Sequence, residues 1–122
     1  MLAVIDARRR EVFVAGWARE SLSDANAALL RPRVTAPGTL AELLEGLPLP
    51  ILAIGDGALA FREVLERSGA LVPEVDSELH RVTATNHCEL ARYLPAEAPE
   101  QVVPSYMRLP DAEIARRTAS KQ

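Results

Sequence analysis

The sequence has little cysteine, few aromatic residues and no long hydrophobic run. Cys88 is its one cysteine, which excludes an internal disulfide and a zinc site built from several thiolates. We therefore expect a cytoplasmic protein. The first residues lack a basic segment and soon reach Asp6, so they do not predict a secretion signal. No stretch reaches the roughly 18 consecutive apolar residues that a membrane-spanning helix needs, and no membrane contact is expected.

Positive charge is not in excess either. The 14 Lys and Arg residues against 17 Asp and Glu residues give a formal net charge of −3. A protein that binds nucleic acid by itself usually has an excess of basic residues on one face, so we expect no direct nucleic-acid partner. The length of 122 residues predicts a single domain and is too short for two α/β lobes that close over a substrate.

The hydrophobic pattern at the N-terminus predicts a β-hairpin. Residues 2–5 are aliphatic, and residues 11–18 alternate between two apolar faces, one of which carries Phe13 and Trp17. We interpret the connection as a solvated, charged turn. A phosphate-binding cluster, which would make the chain an RNA-binding module, is the alternative. The turn contains three adjacent arginines, Arg8, Arg9 and Arg10.

A second strand and a short helix are expected before residue 50. Residues 29–35 predict an edge strand, since an edge tolerates the missing N–H of Pro32. For the residues just before it, a short helix capped by Ser23 or Asp24 is the alternative. Thr39 fits a capping box, which predicts that a short helix begins there.

The middle of the chain predicts one half of a βαβ unit. Residues 50–54 are continuously apolar, which indicates a central strand buried on both faces. Residues 58–68 have helical spacing. Strand and helix are separated by Gly55, Asp56 and Gly57. The fold class that follows is α/β.

The sequence from Gly55 to Ala60 also matches the loose dinucleotide-binding pattern G-x-G-x-x-A, with Asp76 about twenty residues further on. Three features argue against a cofactor site. The strand expected next is interrupted by proline, the preceding hairpin is antiparallel, and Asp56 would place a negative charge where a pyrophosphate binds. A tight turn that needs glycine dihedral angles is the favoured interpretation.

A later helix is predicted from Thr83 or Thr85 to Leu94, with Cys88 on its buried stripe. A metal site in this stretch is not favoured, because adjacent helical residues such as His87 and Cys88 point about 100° apart. The candidate ligands are Glu74, Asp76, Glu78, His80, His87 and Cys88. Residues 95–122 contain Pro99, Pro104 and Pro110, and predict an extended C-terminal segment and tail.

Three passages together resemble the C-terminal half of the bacterial TsaB family, also called YeaZ or glycoprotease-like. They are V-I-D-A-R-R-R-E-V-F-V at residues 4–14, I-G-D-G-A at residues 54–58 and P-S-Y-M-R-L-P-D-A-E at residues 104–113. Two departures stand out. Arg10 stands where the family usually has glycine, and the complete first lobe of family members is absent from this chain.

The resemblance implies a single ribonuclease-H-like lobe of the actin-like ATPase superfamily, with a mixed sheet, an antiparallel N-terminal hairpin and flanking helices. It implies a non-catalytic protein without a cofactor of its own. Its partners would be a catalytic threonylcarbamoyl transferase subunit and a small ATPase, which together make N6-threonylcarbamoyladenosine in tRNA.

The resemblance also implies two candidate surfaces. The apolar face around Phe13 and Trp17 would be covered by the missing first lobe or by self-association. Gly55, Asp56 and Gly57 are the positions that correspond to a vestigial nucleotide contact. The alternative function is a small nucleotide-binding enzyme domain that uses this same turn.

Overall fold

A five-stranded mixed sheet forms the centre of the computed structural model, which describes residues 1–22, 24–110, 112–113, 116 and 119. The strands are β1 (Leu2–Arg8), β2 (Glu11–Trp17), β3 (Ala28–Thr35), β4 (Ile51–Ile54) and β5 (Ala70–Leu71). Their order is β3-β2-β1-β4-β5. β2 is antiparallel to β1 and β3, whereas β1, β4 and β5 run parallel. The predicted α/β class and the predicted hairpin are confirmed.

The edge position of β3 explains how the strand accommodates Pro32. Among the described residues this strand pairs with β2 alone and is the end strand of the sheet, so a missing N–H on its outer side costs no ladder hydrogen bond. Before the strand, Asp24 caps a 3₁₀ turn at Ala25–Ala27 by accepting a hydrogen bond from the Asn26 N–H at 2.9 Å. Ser23, the other predicted cap, lies outside the described residues.

Helix α1 (Leu40–Glu45) confirms the predicted short helix, but the predicted capping box is wrong. A capping side chain needs an extended backbone at its own position. Thr39 instead has φ −83° and ψ −11° and makes no side-chain cap hydrogen bond. A 3₁₀ turn at Pro37–Thr39 leads directly into the helix, and the Leu40 N–H donates to the Pro37 carbonyl oxygen.

The single helix predicted for residues 58–68 is two helices, α2 (Asp56–Ala60) and α3 (Arg62–Arg67). The break is at Phe61, whose φ of −118° and ψ of 30° leave the helical region. Phe61 packs against the core, so the change of direction keeps its ring on the apolar side. A glycine with φ 85°, Gly69, follows the second helix and leads into β5.

One face of the sheet carries the hydrophobic core. Leu2 and Val4 of β1 and Val12 of β2 are fully buried there. Leu40, Ala58 and Leu65 are equally buried and come from α1, α2 and α3 in turn. Burial of a Leu or Val side chain stabilises a fold by about 1.5–3 kcal/mol. These six residues therefore hold the three helices on this face.

The opposite face of the sheet is also apolar but is only partly covered. Its residues follow from the cross-strand pairs Ile5↔Phe13, Phe13↔Val34 and Leu52↔Leu71 and from the alternation along each strand. Ile5 is 45% and Leu71 63% exposed, and the others are half-buried. The second face of β4 was predicted to be buried and is not. We call this surface the open sheet face: Ile5, Phe13, Val34, Leu52, Ile54 and Leu71.

Helix α4 (Ala84–Ala91) contains no buried residue. Thr83 caps it by accepting a hydrogen bond from the Asn86 N–H at 3.2 Å, as predicted, but the helix ends three residues before Leu94. Cys88 is exposed, so the prediction of a buried Cys88 is wrong. The apolar stripe of the helix is present, but the helix does not bury it against the sheet.

Between α4 and residue 110 the chain has little regular structure. A 3₁₀ turn occupies Pro99–Gln101, and residues 102–107 have no assigned element. Val102, Val103 and Tyr106 are 69%, 74% and 87% exposed. Among the described residues, no helix combines the length and apolar character required to cross a membrane.

Candidate functional site at the glycine turn and the hairpin

The glycine turn packs against the backbone of β1. Gly55 has φ 109°, and a Cβ there would overlap the Val4 carbonyl oxygen. A Cβ on Gly57 would lie 2.8 Å from the Ile5 carbonyl carbon and 2.9 Å from the Asp6 nitrogen. Both positions therefore require glycine, one for its dihedral angles and both for the closeness of the two backbones.

Asp56 connects the same turn to the hairpin. Its Oδ1 accepts a hydrogen bond from the Asp6 N–H at 3.0 Å. The Asp6 carboxylate in turn accepts from the Arg8 N–H at 2.8 Å. The two carboxylates thus satisfy backbone donors at the end of β1, where the strand departs from regular pairing. Asp56 would repel a phosphate bound at this turn.

His80 closes the glycine turn from the other side. Its Nδ1 lies 3.1 Å from the Gly55 nitrogen, and its Nε2 lies 3.2 Å from the Pro73 carbonyl oxygen. Nδ1 also lies 3.2 Å from the Gly55 carbonyl oxygen, so the role of Nδ1 as acceptor or donor depends on the tautomer, and it accepts from the Gly55 N–H when Nε2–H donates to Pro73. Arg62 holds the same loop by donating to the carbonyl oxygens of Val72 and Pro73 at 2.9 and 2.6 Å.

The hairpin turn presents three consecutive arginines in left-handed backbone conformations. Arg8, Arg9 and Arg10 have φ 63°, 54° and 61°, and all three are exposed, as predicted. Arg9 and Arg10 form a two-residue loop of the kind that favours Asn-Gly. Arg8 lies at an irregularity in the β1–β2 register. For a residue with a side chain, this conformation is less stable than a right-handed or extended one by about 1 kcal/mol or more.

The C-terminal segment reaches the hairpin through Arg108. The Arg108 Nη1 donates to the Ala7 carbonyl oxygen at 3.0 Å, and its Nε lies 2.9 Å from the Glu11 Oε2. Asp56, Asp6 and Arg108 together bring the three TsaB-like passages to one end of the sheet. The sequence singles out the passages but not these contacts, since no local pattern connects Arg62, His80 or Arg108 with its partner.

The remaining candidates do not assemble into a reaction centre. Within the described part of the chain, no group of three or more His, Cys, Asp or Glu side chains is placed to hold a metal ion. His87 and Cys88 are exposed neighbours on α4, and Asp76 is exposed in a loop beyond the end of β5. A surface pocket of about 240 Å³ lies at the other end of the sheet, beside Met1, Trp17 and Leu49.

Comparison with known proteins adds no assignment. No protein-family model matches the sequence, and no curated protein matches it.

Proposed function

We propose that this chain is a non-catalytic, protein-binding lobe of the ribonuclease-H-like type that works in N6-threonylcarbamoyladenosine modification of tRNA. Its partners in this proposal are a catalytic threonylcarbamoyl transferase subunit and a small ATPase. The meander of β1, β2 and β3, continued by the parallel strands β4 and β5, supports such a lobe. The TsaB-like passages also make direct contact through Arg108 and Asp56, which gives their joint occurrence a physical reason.

The contacts made by the side chains at the glycine turn support a role without catalysis. The Asp56 carboxylate already accepts the Asp6 N–H, and the His80 ring already contacts Gly55 and Pro73. These side chains hold the loop to the sheet. The alternative, a small nucleotide-binding enzyme domain that uses Gly55, Asp56 and Gly57, would need phosphate oxygens to approach the Asp56 carboxylate, which is electrostatically unfavourable.

The observation that carries the proposal is the open sheet face. A parallel strand such as β4 is normally covered on both sides, and contiguous exposed apolar surface is typical of interaction sites. Ile5 at its centre is 45% exposed although its strand neighbours Val4 and Leu2 are fully buried on the other side. A protein partner that covers this face would bury Ile5, Leu71 and the half-buried side chains between them.

The test is a binding and reconstitution experiment with the purified transferase subunit and ATPase. Ile5→Glu places a charge in the open sheet face, and we expect it to abolish complex formation on size-exclusion chromatography and tRNA modification. Leu49→Glu is the matched control, because Leu49 is 69% exposed and lies outside this face. If the wild-type chain neither binds these proteins nor supports modification, the proposal is wrong.

Calorimetric titration of the chain with ATP, ADP and NAD addresses the enzyme alternative. The proposal expects no heat of binding from the chain alone. Saturable nucleotide binding, with an affinity that Asp56→Asn alters in a variant that remains folded, would favour the nucleotide-binding enzyme instead.

A further inference from the structure

We propose that residues 84–94, which are α4 and the turn after it, form a lid that closes over the open sheet face and that a protein partner displaces. The structure shows the open position. In it, α4 contains no buried residue, and Ile5 and Leu71 of the face are 45% and 63% exposed. The proposal rests on the proposed function only in naming the competing partner, because closure itself involves this chain alone.

The lid has one apolar side and one polar side. Helical spacing of 100° per residue places Leu90 and Ala91 on the apolar side, and the following turn adds Leu94, whose N–H donates to the Ala91 carbonyl oxygen at 3.3 Å. Leu90 and Leu94 are each 48% exposed. The polar side carries Glu89 and Arg92, whose side chains meet at 3.5 Å. Covering the apolar side removes hydrocarbon from water, which is favourable, and leaves the charged pair in solvent.

The chain on either side of the lid is anchored at the same end of the sheet. His80 is held at the glycine turn, with its Nδ1 3.1 Å from the Gly55 nitrogen. Arg108 is held at the end of β1, where its Nη1 donates to a backbone carbonyl oxygen at 3.0 Å. The glycine turn itself packs on Ile5, since a Cβ on Gly57 would lie 2.8 Å from the Ile5 carbonyl carbon. The anchor before the lid is therefore beside the residue at the centre of the open sheet face.

The dimensions of the lid and its connections permit closure. Only residues 81–83 lie between His80 and Ala84, the first residue of α4, and an extended chain spans at most about 14 Å over that distance. The eight residues of α4 make a helix about 12 Å long, enough to cross three strands spaced about 4.8 Å apart. The longer connection from Leu94 to Arg108 does not restrict the helix. The lid can thus reach the face around Ile5 while both anchors stay in place.

Closure of the lid weakens partner binding without preventing it. Helix and partner compete for one surface, so the apparent affinity for the partner falls with the fraction of molecules that are open. Because the lid is tethered, it meets the face at a high effective concentration. The contact of a single short helix remains reversible, in keeping with the open position that the structure shows. The lid covers apolar surface until a partner replaces it.

Disulfide trapping tests closure in the chain alone. Cys88 is the only cysteine of the sequence and lies on α4, so Ile5→Cys supplies a second thiol at the centre of the open sheet face. A disulfide forms only when the two Cα atoms come within about 7 Å of each other. The matched control is Ala60→Cys, because Ala60 is exposed on α2, which begins at the same glycine turn but packs on the other face of the sheet. Mass spectrometry of the chain in a glutathione buffer measures the rate of intramolecular disulfide formation.

We expect the Ile5→Cys chain to form its disulfide about tenfold faster than the Ala60→Cys chain, since the lid raises the local thiol concentration only at the face. Adding Leu90→Glu, which places a charge on the closing side, should slow this reaction several-fold. Tyr93→Glu places the same charge on the other side of the lid, where Tyr93 is 68% exposed, and should leave the rate unchanged. Equal rates for the two cysteine variants, or equal effects of the two glutamates, overturn the lid.

The competition is tested by binding of the transferase subunit to the chain with its native cysteine. Leu90→Glu should bind about threefold or more tightly than the wild type, because more molecules are open, and Tyr93→Glu should bind as the wild type does. Equal or weaker binding by Leu90→Glu overturns the competition. If the wild type binds no transferase subunit, the proposed function is wrong, whereas the trapping rates decide whether the lid closes in either case.

Discussion

The Arg108 Nε lies 2.9 Å from the Glu11 Oε2, and the Arg108 Nη1 donates to the Ala7 carbonyl oxygen at 3.0 Å. Arg108 and Ala7 are 101 positions apart in the sequence. One side chain therefore ties the C-terminal segment to both strands of the N-terminal hairpin. The side chains of Arg108 and Glu11 are 23% and 36% exposed, so water screens the pair only in part.

We expect Arg108→Ala to release the C-terminal segment. The free energy of unfolding should fall by about 1 kcal/mol, the value for a partly exposed charged contact together with a backbone hydrogen bond. Proteolysis within residues 99–107 should accelerate several-fold, because this stretch has little regular structure to protect it. Urea denaturation and limited proteolysis followed by mass spectrometry measure the two effects.

Arg108→Lys is the control for this contact. It keeps the charge but cannot make the two-point contact of a guanidinium group, so its proteolysis rate should lie between those of the wild type and Arg108→Ala. Indistinguishable rates for all three proteins would show that Arg108 does not anchor the segment.

The glycine turn gives a second prediction, on stability. Gly57→Ala should destabilise the fold by about 3 kcal/mol or more, since the new methyl group would meet the Ile5 and Asp6 backbone at 2.8 and 2.9 Å, which must shift. Gly38→Ala is the matched control, because nothing lies within 4 Å of its added Cβ. Urea denaturation of both variants checks this. Equal stability of the two would contradict the close packing of α2 on β1.

His80 gives a third prediction. His80→Ala removes the ring that spans the Gly55 nitrogen and the Pro73 carbonyl oxygen, and it should lower the free energy of unfolding by about 1–2 kcal/mol. His87→Ala, on exposed α4, should change it by less than about 0.5 kcal/mol. Thermal and urea unfolding of the two variants measure the difference in their free energies of unfolding. If both variants lose the same stability, His80 does not close the turn.

The sequence was sufficient to predict several features that depend on neighbouring residues. Period-two alternation predicted the hairpin, Pro32 placed β3 at an edge, and the run before Gly55 predicted β4. Features that depend on distant partners were not predictable. His80 meets Gly55 across 25 positions, and Arg108 meets Ala7 across 101, so no local pattern connects them.

Helix α4 is a second case in which a local pattern could not predict a contact with a distant part of the chain. Its apolar stripe predicts which side of the helix would be buried, but amphipathic spacing does not specify the surface that buries it. Cys88 on that stripe is exposed. The same holds for the second face of β4, where an apolar run predicted burial and the described chain leaves Leu52 and Ile54 half-buried.

The exposure of α4 leads to the last prediction, which concerns local stability. An isolated helix of eight residues is marginal in water, because too few hydrogen bonds offset the cost of nucleation. Without buried side chains, α4 depends on the Thr83 cap and on surface contacts such as Arg92 with Glu89 at 3.5 Å.

We expect its amides to exchange with solvent through local opening, far faster than those of β1, whose Leu2 and Val4 are fully buried. Thr83→Ala, which removes a cap worth about 1 kcal/mol, should speed exchange in residues 84–91 about fivefold and leave β1 unchanged. Hydrogen exchange monitored by mass spectrometry tests this. Protection of α4 equal to that of β1 in the chain alone would mean that the helix packs against the fold in solution.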